Sequence, residues 1–204
     1  MSKVIAARGD RVRGVIKELE HFYRSTEFGP IHSEEGKILK ILIELSGAKS
    51  ILEIGTSIGF SGLWISLGIM QTGGELITLE VDPRLAKIAK DNFRRAGITD
   101  IVTLLEGNAF DVLPLPKKDF DFVFLDSTKN EYWDLFNLFF DSVKEKGIIV
   151  AHDTNCEREK MGIYLEGIKN HPGLDTVMTF TYDDKLRDII STGMAISYKK
   201  IASR

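Results

Sequence analysis

The sequence holds a single cysteine, Cys156, among its 204 residues. An internal disulfide is therefore excluded, and no cysteine pair is available to build a thiolate metal site. Long apolar runs are missing too: none approaches the ~18 residues of a membrane span. The opening MSKVIAARGDRVRG carries charges where a signal peptide needs an apolar stretch. These absences lead us to expect a cytoplasmic protein with no membrane partner. Neither sign of charge is in excess, since 27 Lys and Arg stand against 30 Asp and Glu for a net charge of -3. No basic block is present to neutralise a row of phosphates, so nucleic acid is not an expected partner. Internal repeats, low-complexity tracts and domain linkers are also absent. With 43% hydrophobic residues, a chain of this length suits one domain around one core.

What is present is an alternation. Val12, Val15, Ile16, Leu19, Phe22 and Tyr23 recur at helical spacing between Arg8 and Arg24, which predicts an amphipathic helix with an apolar face. A second helix is expected from an N-cap at Ser33, with Glu34 and Glu35 in its positive first turn, to a stop at Gly47. The rhythm then shortens. SILEIG, GELITLEVD, IVTLLEG, FDFVFLD and GIIVAHD are apolar runs of strand length, separated by the helical stretches SGLWISLGIM, PRLAKIAKDNFRRAG and EYWDLFNLFFDSVKEKG. Doubly apolar strands alternating with helices predict an α/β fold, a mostly parallel sheet with helices on both faces. LDTVMTFTY and GMAISYKK are separated only by the turn-like DDKLRDIIST, which suits a C-terminal antiparallel strand pair.

Ligands of such a sheet bind where its strands stop. At the first stop, EIGTSIGFSG, Gly55 and Gly59 would let backbone approach a ligand ahead of a helix N-terminus. The run lacks the G-x-G-x-x-G of a dinucleotide fingerprint, which makes a nicotinamide dehydrogenase the weakest candidate. Glu80 follows Gly55 by about 25 residues, a spacing suited to a carboxylate that holds ribose hydroxyls. Asp82 before Pro83 is better explained as a helix N-cap.

EIGTSIG resembles the first motif, E/D-x-G-x-x-x-G, of the class I S-adenosylmethionine methyltransferases. The resemblance implies a Rossmann-like core over residues 48–204 behind N-terminal helices over 1–47, with seven strands in the sheet. It also implies that Glu53, Gly55, Thr56, Gly59 and Ser61 line the methionine part of the donor, Glu80 and Val81 its ribose and adenine, and Asn108 and Ala109 the adenine edge. The fourth stop, FLDSTKNEY, is similar to that of the catechol and caffeoyl-CoA O-methyltransferases. In that family the aspartate binds a divalent metal near the donor and the lysine three residues on is the base, which implies these roles for Asp126 and Lys129, with Tyr132 beside them. Residue chemistry agrees, because methyl transfer from a sulfonium to oxygen needs an ionised oxygen, and an ordinary phenol titrates near ~10. A hard cation lowers that value, and magnesium or another divalent ion suits carboxylate ligands. A small hydroxyl acceptor and a homodimer are implied as well, with the apolar face of the first helix as the expected dimer surface.

At the fifth stop the family has an adjacent Asp-Asn pair, whereas this chain has Asp153 and Thr154, with Asn155 displaced by one. TNCE also fits a capping box that would engage Thr154 and Glu157 to begin a helix. Three readings stay open here. Asp126 and Asp153, with Thr154, could hold magnesium together with extra waters; Asn155 or His152 could complete the site; or no metal is used, leaving Lys129 and His152 to handle the proton. Two other functions compete: a metal-independent methyltransferase acting on another small nucleophile, and a donor-binding protein without turnover.

Overall fold

The computed structural model describes residues 3–23, 31–115, 118–155, 159–183, 188–189 and 193–202. In chain order the elements are α1 (Lys3–Tyr23), α2 (Ser33–Ser46), β1 (Ser50–Ile54), α3 (Phe60–Thr72), β2 (Glu75–Glu80), α4 (Pro83–Ala96), β3 (Val102–Glu106), α5 (Ala109–Val112) and β4 (Phe120–Leu125). Then follow α6 (Tyr132–Phe139), β5 (Val143–His152), α7 (Gly162–Asn170), β6 (Leu174–Thr179), β7 (Tyr182–Asp183), β8 (Asp188–Ile189) and β9 (Met194–Lys199). The seven-stranded sheet has the order β3-β2-β1-β4-β5-β9-β6. Strands β1 to β5 pair in parallel, and β9 runs antiparallel between β5 and β6. The expected α/β class and antiparallel C-terminal pair are thus both present.

Period-two alternation divides the strands between two apolar layers. Ile51, Phe122 and Phe124 face the layer covered by α1 to α4, while Leu52, Val123 and Leu125 face the layer built with α6 and α7. Each of these strand side chains is essentially buried, which is worth roughly 1.5–3 kcal/mol apiece before chain entropy is charged against it. Tyr132, Leu135, Phe136 and Phe139 of α6 fill the second layer, so the aromatic run is core.

Four expectations change in detail. The apolar stripe of α1 is not open to a second chain: Val12, Val15 and Ile16 are buried, and the helix packs on α3 and α4 of its own chain. The cap of α2 is His32 rather than Ser33, and Glu35 Oε2 accepts from the His32 N–H at 2.9 Å. The stretch SVKEKG, expected to continue a helix, begins β5 instead. Its register against β4 shifts between Phe120 and Phe122, with Lys146 at φ 68°. A local irregularity there lets a polar, lysine-rich stretch enter an otherwise apolar strand. The turn-like segment before β9 includes a small two-stranded ribbon, Tyr182 to Asp183 against Asp188 to Ile189.

Candidate active site

The strand order reverses between β1 and β4, the switch point where open α/β sheets place ligands. A cleft of about 370 Å³ lies there, lined among others by Gly55, Ser57, Glu80, Val81, Asn108, Ala109 and Asp126. Its size falls in the range of small-molecule pockets. Glu80 ends β2 and is nearly buried. Its Oε2 accepts from the Ser57 N–H at 2.6 Å and its Oε1 from the Asp82 N–H at 2.9 Å. Each oxygen keeps acceptor capacity for a diol, since a carboxylate offers about four lone-pair positions. Asn108 caps α5 by accepting from the Phe110 N–H at 3.0 Å. Asp82 caps α4 through the Arg84 N–H, with Pro83 at the first helical position.

Of the glycine motif, Gly55 lines the cleft while Glu53, Thr56, Gly59 and Ser61 stand outside its lining. A Cβ on Gly55, at φ +100°, would stand 1.9 Å from the Asp126 carbonyl oxygen, and one on Gly59 would enter the Phe93 ring. Both glycines are demanded by protein packing, and Gly55 also contributes to the cleft wall. Glu53 and Thr56 are buried, joined through Thr78: the Thr78 hydroxyl donates to Glu53 Oε2 at 2.6 Å and contacts the Thr56 hydroxyl. Ser61, also buried, lies at the start of α3. Desolvation pushes the Glu53 carboxyl up to about 7 despite the Ser61 and Thr78 hydroxyls beside it, with Asp126 and Glu80 adding repulsion.

At the ends of β4 and β5 the charges are paired. Lys129 Nζ, in the helical turn after β4, lies 2.7 Å from Asp126 Oδ1 and 2.7 Å from Asp153 Oδ2, and donates to Tyr132 Oη at 2.9 Å. The buried His152 ring places Nδ1 3.3 Å from both Asp126 Oδ1 and Asp153 Oδ1, and Nε2 3.0 Å from Glu35 Oε2. Burial opposes the charge on Asp126, but His152 and Lys129 prevail and hold its carboxyl far below the ordinary range. Asp153 is lowered in the same way. For His152, burial pulls down while Asp126 and Glu35 pull up, to about 10. Lys129 is likewise raised, because Asp126 and Asp153 outweigh burial. Tyr132 rises well above its usual value through burial and the two aspartates.

Asp126, His152 and Asp153 each offer a ligand atom, all within 4.8 Å of one another, so the donor set fits a divalent cation. Thr154 is buried, its N–H donating to the Gly193 carbonyl at 3.1 Å, and its hydroxyl has no partner among the described residues. Asn155 is exposed in a turn. Glu157 of the expected capping box, like Cys156, lies outside the described residues, and the next described helix starts at Gly162.

Sequence reasoning did not reach Glu35. It was read only as a first-turn acid, yet the fold brings it to a histidine 117 positions away. The signal lies in its neighbour Gly36: a Cβ there would sit 2.3 Å from the Trp64 indole, so the missing side chain lets α2 press onto α3 and carries Glu35 inward.

Fold and cleft together define a class I, Rossmann-like methyltransferase architecture. The chain belongs to the O-methyltransferase family, matching it over residues 12–160. It is 32% identical over 167 residues to a catechol O-methyltransferase of Mycobacterium tuberculosis, covering 76% of each chain. It is 37% identical over 125 residues to a catechol O-methyltransferase of Niastella koreensis, covering 59% of this chain and 56% of that one. It thus spans little more than half the length of that relative. Its fold is similar to the crystal structure of an O-methyltransferase from Bacillus cereus in complex with SAH, with TM-score 0.78, 24% identity and coverage of 92% and 91% of the two chains.

Proposed function

We propose that the protein transfers the methyl group of S-adenosylmethionine to a hydroxyl of a small catechol-like acceptor, with assistance from a divalent metal. The observation that carries this reading is the position of Lys129 Nζ, 2.7 Å from each of two aspartates at the strand ends and next to a cleft that Asp126 itself lines. Support also comes from family membership and from relatives named as catechol O-methyltransferases.

In this reading Glu80 accepts from the ribose hydroxyls, Val81, Asn108 and Ala109 flank the base, and the sulfonium points from the cleft toward Asp126. Asp126 and Asp153 would hold the cation, whose chemistry would be to lower the pKa of the acceptor hydroxyl and orient it. Lys129 takes the hydroxyl proton, the oxygen forms the new O–CH3 bond, the S–CH3 bond breaks, and S-adenosylhomocysteine leaves. Alone with its two aspartates the lysine stays charged. A bound cation and a nearby sulfonium would weaken the pull of those carboxylates, so that burial of Lys129 would favour its neutral amine. Homodimer formation belongs to the same reading through the family resemblance, and a cytoplasmic setting through the lone cysteine and the charged opening stretch.

The test is calorimetric binding of S-adenosylhomocysteine followed by catechol methylation with metal, with chelator, and with Asp153→Ala. Turnover lost to chelator and to the variant while S-adenosylhomocysteine still binds is the expected result. Turnover that persists with chelator would replace this reading with a metal-independent methyltransferase. Binding without methylation of any catechol would reject the catechol-like acceptor.

A further inference from the structure

We propose that His152 Nδ1 is a third protein ligand beside Asp126 and Asp153, with Glu35 as its outer carboxylate, and that the resulting O,O,N site prefers a borderline transition ion to magnesium. This rests on the metal-assisted reading and specifies which ion that site would hold.

The first argument is backbone geometry. Strand β5 ends at His152, and adjacent residues of a continued strand would point to opposite faces of the sheet. Asp153 instead takes φ +60°, a left-handed conformation that aspartate tolerates better than most residues. The result is that neighbouring side chains converge, with Nδ1 3.3 Å from Asp153 Oδ1. Non-glycine residues held in this conformation concentrate where function requires a particular aim.

The second argument is spacing. Nδ1 is also 3.3 Å from Asp126 Oδ1, long for a strong charge-assisted hydrogen bond. Donor atoms about 2.1 Å from a shared ion would be separated by roughly 3.0 Å at octahedral angles and roughly 3.4 Å at tetrahedral ones. Both contacts are thus of the length of coordination-polyhedron edges.

The third argument is the far side of the ring. A ligating histidine characteristically donates its other N–H to a carboxylate or carbonyl, which fixes the tautomer and the ring plane. Glu35 Oε2 stands 3.0 Å from Nε2, completely buried, and is itself fixed by the His32 N–H at 2.9 Å. A carboxylate anchored in this way leaves Nδ1 as the nitrogen turned toward the two aspartates. Magnesium takes oxygen ligands, whereas imidazole suits manganese less well than iron, cobalt or zinc. The site chemistry therefore points to Fe²⁺, Co²⁺ or Zn²⁺ ahead of Mg²⁺.

The experiment uses the full chain, stripped with chelator, titrated calorimetrically with Co²⁺ and with Mg²⁺, and followed by visible absorption of bound Co²⁺. S-adenosylhomocysteine affinity serves as the folding control for each variant. Cobalt is expected to bind at least ~10-fold tighter than magnesium. His152→Asn should weaken cobalt ~10–100-fold and change its spectrum, while magnesium moves less than ~3-fold. Glu35→Gln, which keeps shape and packing, should weaken cobalt ~10-fold and provides the answer should His152→Asn not fold. Equal affinity for the two ions, or a cobalt spectrum unchanged by both variants, would overturn the proposal. So would the absence of any metal binding to a protein that still binds S-adenosylhomocysteine and methylates a catechol. Loss of those last two properties in the unaltered protein would instead reject the methyltransferase reading beneath it.

Discussion

Glu53 lies on β1 and Asp126 directly follows the adjacent parallel strand β4, and they behave in opposite ways. Glu53, buried outside the cleft lining, has hydroxyls for company, and desolvation carries its carboxyl up to about 7. Asp126 is also strongly desolvated, yet His152 and then Lys129 hold its carboxyl far below the ordinary range. Burial acts in the same direction on both. What separates them is whether a cation shares the site. The Glu53 side is therefore built to support a neutral acid, and its neighbouring edge to support concentrated charge.

Removing one of the two cations on the Asp126 side is the strongest way to break this contrast. Lys129→Met keeps an apolar stem of similar reach but takes away the proton acceptor. Turnover should fall ~10²–10⁴-fold, the usual contribution of a positioned acid or base. S-adenosylhomocysteine affinity should stay within ~3-fold, because no donor contact is assigned to this side chain. The Asp126 carboxyl should also rise toward the behaviour of Glu53, detectable by carbon NMR titration of the labelled carboxyl. Turnover unchanged by the variant would remove Lys129 from the chemistry.

The next test acts on Glu53. Its folded carboxyl holds a proton more tightly than the unfolded one, about 7 against an ordinary value of 4.5. Between those values the folded state binds more protons, so stability falls as pH rises through that window and levels off above it. The effect of this one group is on the order of 3 kcal/mol. Glu53→Gln should abolish it, so that the variant gains on the parent from about pH 4.5 to about pH 7 in urea unfolding. Parallel curves for the two proteins would mean that Glu53 is ionised in the fold or compensated elsewhere.

The same contrast explains what was legible in the sequence. Strands β1 to β4 and the GIIVAH end of β5 could be read because a sheet covered on both faces needs continuous apolar runs, and FDFVFL or SILEI are hard to place otherwise. Asp126, Lys129 and Tyr132 could be read because they are local: spacings of three residues survive folding as contacts. Glu35 could not, since nothing in SEEGK separates it from Glu34 until α2 is pressed onto Trp64. The aim of Asp153 was equally hidden, because a left-handed residue after a strand leaves no periodic signature. Gly55 stands out in the chain, but half of its reason, the Asp126 carbonyl at its back, belongs to a residue about 70 positions further on, just past the end of β4.

The smallest expected effect tests how finely the charged edge is tuned. Tyr132 Oη accepts from Lys129 Nζ at 2.9 Å and donates to the Leu125 carbonyl at 3.1 Å, in a position with no solvent exposure. Tyr132→Phe preserves the ring packing against Tyr164 while removing both bonds. Unfolding free energy should drop by about 2 kcal/mol, about 1 for each of the two buried hydrogen bonds. The kinetic sign is more informative. Tyr132 accepts from the charged amine, so losing it destabilises the ammonium and lowers the pKa of Lys129. The rising limb of the pH–rate profile should then move to lower pH, with turnover at neutral pH changed by less than ~10-fold. A limb that stays in place while stability drops would restrict Tyr132 to holding the β4 end together, and would leave the two aspartates as the groups that set the proton affinity of the lysine.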